Sequence, residues 1–453
     1  MKGMLQSIGG FFADKVRRVL PDSFVFAVVL SALTFTLALG LTESSADELM
    51  GFWVKGLYSS QILTFGMFMI MVLTFGHTVG DSAPVRRFFE AISERIEEPR
   101  SVYLIIAITS LTLNLINWAL APVTALFTVE LCKRVKGVDY RLACAALYSG
   151  MLIWHGGLSS SAALMLASET TAQGFIDQGL IKEVIPVTET LLHPLNIILI
   201  ISTVIALPLL ILALRPPYEQ KFDAALQHES AFSEVGLEEE ESLGEHLADR
   251  LNRARWVNWL IALAGLVGVA FIIRAEGFNL SSLSLLMFSL ALIMQGSPIR
   301  FIQVMKEAIG GSSDIVIQFP LFGGIMNIFI LSGLAPLFAE ALLQLGSGET
   351  LPWLAFLCSS TINLFIPSGG GEWLVLGPPL LEAANASGAD IGKTIIAFAY
   401  GDSLTNLMNP FWTLTFLPIM GVLMRIETRD FMGYTVFLCG AFFLLESALI
   451  LLI

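Results

Sequence analysis

Long apolar runs separated by short polar stretches recur along the whole chain. A membrane-crossing helix needs about 20 mostly apolar residues, whereas outer-membrane barrels show a weaker alternating pattern. The runs predict an all-α polytopic membrane protein with about nine spanning helices. The predicted spans are Phe24–Leu41, Ile62–Val79, Leu142–Leu166, Leu191–Leu214, Trp256–Ile273, Leu283–Met294, Ile315–Leu334, Ile391–Met420 and Phe431–Ile453.

Two further apolar stretches are interrupted in the middle by polar or helix-breaking residues. Residues 102–132 carry Asn114, Asn117 and Pro122, and basic residues flank both ends. This stretch is therefore predicted to enter and leave on the cytoplasmic side as a re-entrant hairpin. Residues 358–384 have acidic residues around them and no basic flank, which predicts a second hairpin that enters from the periplasm.

The tip of the second hairpin has the sequence INLFIPSGGGEW, from Ile362 to Trp373. Pro367 removes a backbone donor and Gly369–Gly371 disfavour a helix, so the chain is expected to be non-helical here. At membrane depth, such backbone is tolerated only where it is buried in protein or lines a wet cavity. We interpret the tip as an ion or substrate site, with a glycine-rich packing kink as the structural alternative.

Charged residues between the spans predict the orientation. Arginine and lysine gather in alternate loops, which indicates a cell (inner) membrane protein with a cytoplasmic N-terminus and a periplasmic C-terminus. Residues 1–21 are expected to form an amphipathic interfacial segment rather than a cleaved signal. Residues 215–255 are polar and acidic, and we predict a cytoplasmic linker there.

The two halves of the chain read alike. Three segments match in the same order: Ser59–Phe68 with Ser312–Phe322, Ser110–Trp118 with Ser359–Pro367, and Val138–Gly150 with Ala389–Gly401. Because the flanking charges are opposite in the two halves, we predict a first repeat, a connecting membrane helix and a second, inverted repeat, at residues 22–214, 256–275 and 280–453. Inverted repeats with paired broken helices are typical of alternating-access transporters, whose site lies near the membrane midplane.

Composition excludes several classes of protein. With 55% hydrophobic residues, 14% charged residues and a mean hydropathy of +0.76, the chain is too apolar for a soluble domain of 453 residues. Much of the net charge of −13 lies in the acidic linker, and no basic cluster suits a nucleic acid. The four cysteines lack metal-ligand spacing, and no cofactor is expected.

Four broken segments are expected to converge: Asn114–Trp118, His155–Ser161, Thr361–Glu372 and Asp402–Pro410. Their side chains offer mainly neutral oxygens, which suit Na⁺, because this hard cation binds carbonyl, hydroxyl and carboxylate oxygens. Helix N-termini at the breaks carry partial positive charge and suit a small carboxylate without help from arginine or lysine.

Three titratable residues in these segments are candidates for proton coupling. Asp402 is expected to bind the cation or carry a proton, or alternatively to cap the half-helix that follows it. Glu372 is likewise expected to bind the cation or carry a proton, or alternatively to lie at the water-exposed, wet edge of the hairpin. His155 is either a proton relay or a structural histidine whose hydrogen bonds are satisfied.

Four tryptophans lie at or near the breaks: Trp118, Trp154, Trp373 and Trp412. They are candidates for the wall of an apolar sub-pocket that receives a short acyl tail. The structural alternative is an interface anchor or core packing, which is the usual role of tryptophan in membrane proteins.

Three segments together resemble the short-chain fatty acid transporter family of the ion transporter superfamily: LPDSFVFAVVLSALTF, INLFIPSGGGEW and AFAYGDSLTNLMNPFW. The likeness runs over essentially the whole chain. It implies the inverted-repeat ion-transporter-superfamily fold with two re-entrant hairpins, a homodimer and elevator-type movement. It also implies uptake of short monocarboxylates such as butyrate or acetoacetate, driven by an ion gradient.

With the residues above, the resemblance indicates individual ligands. The cation ligands are expected to be Asn114, Asn117, Thr361, Asn363, Asp402, Thr405 and Asn406. The substrate ligands are expected to be Asn117, Ser159, Ser160, Ser368, Gly369, Gly370, Gly371, Glu372, Trp373 and Asn409. Glu372 departs from the family pattern, in which a neutral polar side chain or a histidine follows the glycines, so the coupling ion and the substrate charge stay open.

Several alternatives to Na⁺-coupled monocarboxylate uptake stay open. H⁺ in place of Na⁺, or a dicarboxylate or another small anion as substrate, would still make the protein a secondary transporter. An intramembrane enzyme is disfavoured because the HExxH and GxSxG motifs and a Cys/His cluster are absent from the sequence. An anion channel is disfavoured because such pores usually carry rings of arginine or lysine.

Overall fold

The computed structural model describes residues 15, 18–19, 21–215, 246–276, 280–310, 312–343, 346 and 348–453. The described part is built from helices that follow the apolar runs. Those before the linker are α1 Ser23–Leu41, α2 Ala46–Leu57, α3 Ser60–Gly80, α4 Ala83–Ser93, α5 Pro99–Ile116, α6 Ala121–Arg134, α7 Tyr140–Tyr148, α8 Ser161–Ala167, α9 Glu169–Asp177 and α10 Pro194–Leu214.

The later helices again combine long apolar helices with short broken ones, and the first of them lies within the predicted linker. They are α11 Leu247–Asn252, α12 Arg255–Glu276, α13 Leu280–Gln295, α14 Pro298–Gly310, α15 Ser313–Leu331, α16 Leu334–Leu343, α17 Leu351–Ile362, α18 Gly369–Ser387, α19 Ile391–Asn406, α20 Leu417–Met424 and α21 Thr428–Leu452. Three 3₁₀ helices interrupt the series, at Trp118–Leu120, Ser149–Gly156 and Pro410–Thr415, and are called the first, second and third 3₁₀ helix below.

Seven segments of the described chain are long and apolar enough to cross a membrane. Six coincide with predicted spans, and the seventh, Pro99–Ile116, is the first arm of the predicted first hairpin. The other three predicted spans, at residues 142–166, 283–294 and 391–420, are shorter or broken helices. The protein is thus a multi-pass helical membrane protein, and the count of nine spans stays a prediction.

Each predicted hairpin consists of two helices joined by a short break. In the first, α5 ends at Ile116 and the first 3₁₀ helix leads into α6. In the second, α17 ends at Ile362 and α18 begins at Gly369, so residues 363–368 form the break. Most of residues 1–21 and of the acidic linker lie outside the described residues.

The expectation that Gly369–Gly371 are non-helical is wrong, because they form the first turn of α18. Ser368 is the N-cap, and its Oγ accepts a hydrogen bond of 3.2 Å from the Gly371 N–H. A serine cap compensates the free amides of a first turn, so a helix can begin on residues of poor helix propensity. Pro367 lies just before this helix, where its missing N–H breaks no helical bond.

Residues that match between the two halves make matching contacts. Gly150 lies so close to α5 that an added Cβ would be 2.1 Å from the Ser110 Oγ, and one on Gly401 would be 2.9 Å from the Ser359 Cβ on α17. Ser110 corresponds to Ser359, and Gly150 to Gly401, in the sequence match. This shared packing supports the predicted repeat, whose inversion stays a prediction.

The helices that carry these glycines also begin alike. The Asp139 Oδ1 accepts a hydrogen bond of 2.9 Å from the Arg141 N–H at the start of α7, and the Asp390 Oδ1 accepts one of 2.8 Å from the Lys393 N–H at the start of α19. Asp139 and Asp390 correspond in the sequence match as well. Each caps free amides in the first turn of its helix, which sets the same starting point in both halves.

Candidate functional site

The broken segments of the first half contact each other directly. The Leu158 N–H, in the break between the second 3₁₀ helix and α8, donates a hydrogen bond of 2.7 Å to the Leu115 carbonyl near the end of α5. The Trp118 N–H lies 3.4 Å from the Ser159 Oγ. These contacts join the tip of the first hairpin to the break in the predicted span at residues 142–166, as predicted from the sequence.

The broken segments of the second half meet each other and those of the first half. The Asn409 Nδ2 donates a hydrogen bond of 3.3 Å to the Asn363 carbonyl, which links the third 3₁₀ helix to the second hairpin tip. The Tyr148 hydroxyl, at the end of α7, donates one of 2.8 Å to the Asn409 carbonyl. An added Cβ on Gly369 would lie 2.7 Å from the His155 Cε1. All four broken segments are therefore neighbours.

Asn363 is the centre of the second tip. Its Nδ2 donates to the Asp402 carbonyl at 2.8 Å, to the Asn406 Oδ1 at 2.8 Å and to the Thr405 Oγ1 at 3.1 Å. Asn363, Asp402 and Asn406 are fully buried. A single amide group thus fixes the end of α17 against the last turn of α19, although 39 or more residues separate the partners in sequence.

The two helices that this amide joins carry buried oxygens without a hydrogen-bond partner among the described residues. They include the Asn363 Oδ1 and the hydroxyls of Ser360 and Ser403. Buried polar groups usually find a partner. Unpaired oxygens from two facing helices are therefore suited to bind a cation. Ser360 and Ser403 were missed in the sequence, where they looked like ordinary serines in apolar helices.

The other predicted cation ligands have different surroundings. Thr361 donates a hydrogen bond of 2.9 Å to the Leu357 carbonyl within its own helix. Asn114 donates to the Ser110 carbonyl at 2.9 Å, and its Oδ1 has no partner among the described residues. The Asn117 Oδ1 accepts from the Ala119 N–H at 2.9 Å and so caps the first 3₁₀ helix. Of these three, only Asn114 offers a buried oxygen that is unpaired.

The three candidates for proton coupling lie together. The Asp402 Oδ2 is 3.3 Å from the His155 Nδ1, and the Glu372 carboxyl is close enough to Asp402 and Ser359 to interact with both. All three side chains are completely buried. The alternative that Glu372 lies at a wet edge is therefore wrong. The alternative that Asp402 caps the next half-helix is also wrong, because Asp402 lies within α19 and Asn409 caps the third 3₁₀ helix.

Both ring nitrogens of His155 face hydrogen-bonding groups. Nδ1 lies 3.2 Å from the Ala399 carbonyl and Nε2 accepts a hydrogen bond of 3.4 Å from the Ala162 N–H. A nitrogen that faces a carbonyl must carry the hydrogen, and one that accepts from an amide must not, so the surroundings select one tautomer. The imidazole is held between the first turn of α8 and the middle of α19.

The predicted substrate ligands divide into two groups. Ser368, Gly369, Gly370 and Gly371 form the start of α18, and an added Cβ on Gly370 would be in ordinary contact with Ser161, at 3.8 Å. Ser160 is buried with an unpaired hydroxyl, Ser159 is half-buried, and Asn409 is tied to the second tip. Glu372 and Trp373 are completely buried, Glu372 close to Asp402 and Trp373 against Phe398.

Three of the four predicted tryptophans form one aromatic cluster. The ring centroids of Trp118 and Trp412 are 5.2 Å apart, those of Trp118 and Trp154 are 6.4 Å apart, and Phe65 packs 6.1 Å from Trp118. Trp373 is not in contact with these rings. It packs on Phe398 at 4.8 Å and on Phe175 at 6.3 Å. Of the two roles predicted for these tryptophans, Trp373 therefore has core packing.

Glu446 is a buried carboxyl that sequence reasoning missed. It lies in α21, is completely buried, and has no hydrogen-bond partner among the described residues. Tyr400, on the helix that carries Asp402, is near enough to interact electrostatically with it. An acidic residue within the last predicted span was itself a signal, because such residues are rare in membrane helices.

Broken helices that meet around buried oxygens, in a multi-pass membrane protein, define the class of protein as a membrane transporter. Residues 4–452 match the family model described as short chain fatty acid transporter, and the chain belongs to this family. Relatives from Haemophilus influenzae and Escherichia coli both carry the name "putative short-chain fatty acid transporter". The first is 30% identical over 97% of this chain and 100% of its own length, and the second is 32% identical over 96% of each.

A more distant likeness joins the chain to a solved structure. The crystal structure of the YdaH transporter of Alcanivorax borkumensis matches 94% of this chain and 98% of that chain, with 16% identity and a TM-score of 0.37. This score is too low to define the fold of this chain. Membership of the family is what identifies the chain as a transport protein rather than an enzyme.

Proposed function

We propose that the protein takes up short-chain monocarboxylates, such as butyrate or acetoacetate, by Na⁺ symport with elevator-type alternating access. One observation carries the proposal. Asn363 ties the second hairpin tip to the last turn of α19, and the two helices joined in this way carry buried oxygens, of Asn363, Ser360 and Ser403, that have no partner among the described residues. Oxygen atoms from two helices that meet at a break are the ligands expected for Na⁺.

The substrate anion is proposed to lie at the start of α18. The amides of Gly369 and Gly370 are free first-turn donors, and the partial positive charge of a helix N-terminus attracts a carboxylate. Around Gly370, an added Cβ would meet only ordinary contacts, at 3.8 Å from Ser161 and 4.0 Å from the Met165 Cε. The apolar tail would then lie along the cluster of Trp118, Trp154 and Trp412, which is suited to a short alkyl chain.

A separate observation supports H⁺, in place of Na⁺, as the coupling ion. His155, Asp402 and Glu372 form a completely buried titratable cluster at the same place. Intramembrane carboxyl and imidazole groups of this kind are typical of proton relays. H⁺ symport is therefore the alternative to Na⁺ symport, and the inverted repeat, the homodimer and the elevator movement belong to the proposal in either case.

Uptake of labelled butyrate into proteoliposomes tests the coupling. We expect accumulation under an inward Na⁺ gradient, at least a tenfold loss in Asn363→Ala, and near-normal uptake in Asn385→Ala, an exposed asparagine on α18. The loss follows because three buried acceptors would lose one donor. Accumulation that needs only a pH gradient and disappears in Asp402→Asn would replace Na⁺ by H⁺. No accumulation under either gradient would remove monocarboxylate symport, and dicarboxylates would be tested next.

A further inference from the structure

Two indole N–H groups of the 3₁₀ helices have no hydrogen-bond partner in the described part of the chain. Trp154 is 2% exposed and Trp412 is 4% exposed, and the Nε1 of each is unpaired among the described residues. A buried donor that makes no hydrogen bond destabilises the structure by about 1–3 kcal/mol. Two such donors in one aromatic cluster call for an acceptor that arrives with the ligand.

The position of Trp154 connects it to the start of α18. An added Cβ on Gly369 would lie 3.0 Å from the Trp154 Cη2, so the indole lies directly against the first turn. The ring is stacked on His155, with centroids 4.1 Å apart and an interplanar angle of 7°. Since His155 is itself held on both nitrogens, the indole has little freedom to turn away.

Trp412 joins the same surface from the other half of the chain. Trp118 packs edge-on against both indoles, at 72° to Trp412 and 74° to Trp154. Trp118 is only half-buried, so the cluster is accessible on one side. The positive ring edges and N–H groups of tryptophan favour an anion, while the ring faces favour an alkyl chain.

We infer that Trp154 and Trp412 are hydrogen-bond donors to the carboxylate of the substrate, so that an organic anion is recognised without a positively charged side chain. This inference rests on the proposed function. It adds two specificity-determining residues, one from the second and one from the third 3₁₀ helix. Neutral donors bind an anion less tightly than arginine, which favours its release after the conformational change.

Trp53, Trp353 and Trp373 also have N–H groups without a partner among the described residues, but they lie on α2, at the start of α17 and in α18, outside the 3₁₀ helices. Trp353 therefore supplies a matched control. In Trp→Phe variants the aromatic ring stays and only the donor and part of the ring are lost. Any loss that comes from packing alone should appear in Trp353→Phe as well.

The test is the concentration dependence of butyrate uptake in proteoliposomes. We expect Trp154→Phe and Trp412→Phe each to raise KM about tenfold with Vmax little changed, the loss of one hydrogen bond to a charged group. Trp353→Phe should keep the wild-type KM. An unchanged KM in both site variants, with active wild-type protein, would overturn the inference and leave the proposed function intact. Wild-type protein without uptake would instead overturn the proposed function.

A second replacement covers the case in which phenylalanine disturbs the fold. Benzothienylalanine has nearly the shape of tryptophan but carries sulfur in place of the indole N–H. Introduced at position 154 or 412, it should also raise KM about tenfold. A wild-type KM with this residue would show that shape, and not the donor, is what matters, and would overturn the inference.

Discussion

Single amide and hydroxyl groups decide the chemistry at the residue scale. Asn363 uses its Nδ2 for three partners, and its Oδ1 has none among the described residues, while Thr405 and Asn406 serve as acceptors for it. The predicted cation ligands therefore differ in what the proposed site asks of them. In that site, the Asn363 oxygen would bind the ion, whereas Thr405 and Asn406 hold Asn363 in place. We therefore expect removal of the amide to affect both ion binding and the local structure.

Glu446 provides a prediction about stability. A buried polar group without a partner destabilises the folded protein, so Glu446→Met, an apolar replacement of similar length, should stabilise it by about 1–3 kcal/mol. Glu446→Gln should not, because the amide stays buried and polar. Thermal unfolding of the purified protein in detergent measures both variants. A lower midpoint for Glu446→Met would mean that the carboxyl has a partner it needs.

At the scale of elements, close helix contacts at glycine hold the broken helices together. An added Cβ on Gly401 would lie 2.3 Å from the Phe356 carbonyl of α17. This neighbour is backbone, which cannot turn aside like a flexible side chain. At this contact, α17, the first arm of the second hairpin, packs directly against α19, the helix that carries Asp402.

Gly401→Ala should therefore separate α17 from α19 and destabilise the protein by about 1–3 kcal/mol, with loss of uptake. Gly440 on α21 is the matched control, because an added Cβ there meets no atom within 4 Å. Gly440→Ala should be neutral or slightly stabilising, since alanine favours the helix. Melting curves and butyrate uptake of both variants would settle the matter, and equal stability of the two would contradict the packing argument.

At the scale of the whole molecule, apolar side chains cover the outer helices. Leu263, Val267 and Phe271 on α12 are more than half exposed, as expected for a helix that faces lipid. Polar groups are instead collected where the broken helices meet. This distribution is the reverse of a soluble protein and follows from the solvent, since hydrocarbon cannot satisfy a backbone amide.

The predicted orientation can be tested with reporter fusions. Arg425 and Arg429 precede the last span and should keep its start in the cytoplasm, so the C-terminus should lie in the periplasm. Alkaline phosphatase fused after Ile453 should be active, whereas a fluorescent protein there should be dark. Fusions after Arg215, before the acidic linker, should give the opposite pattern. Fluorescence at the C-terminus would require one crossing more or fewer than predicted.

The sequence by itself determined the class of fold and the positions of the breaks. The sequence shows local properties directly: the length of apolar runs, the flanking charges and the helix-breaking residues. These properties predicted a helical membrane protein, the helix pair of each hairpin and the four broken segments. The segments INLFIPSGGGEW and AFAYGDSLTNLMNPFW also led to the family. Where local chemistry was ambiguous the prediction was wrong, as at Gly369–Gly371, because a serine cap one residue earlier allowed the helix to begin there.

Only the tertiary structure decided which of the candidate residues meet. His155, Glu372 and Asp402 lie in three separate segments, and no spacing along the chain could show that their side chains share one buried cluster. The separation of Trp373 from the other tryptophans, and the unpaired oxygens of Ser360 and Ser403, were equally inaccessible. The physical cause of these arrangements is helix packing. Glycine contacts, such as that of Gly401 in α19 against α17, set how closely distant segments approach.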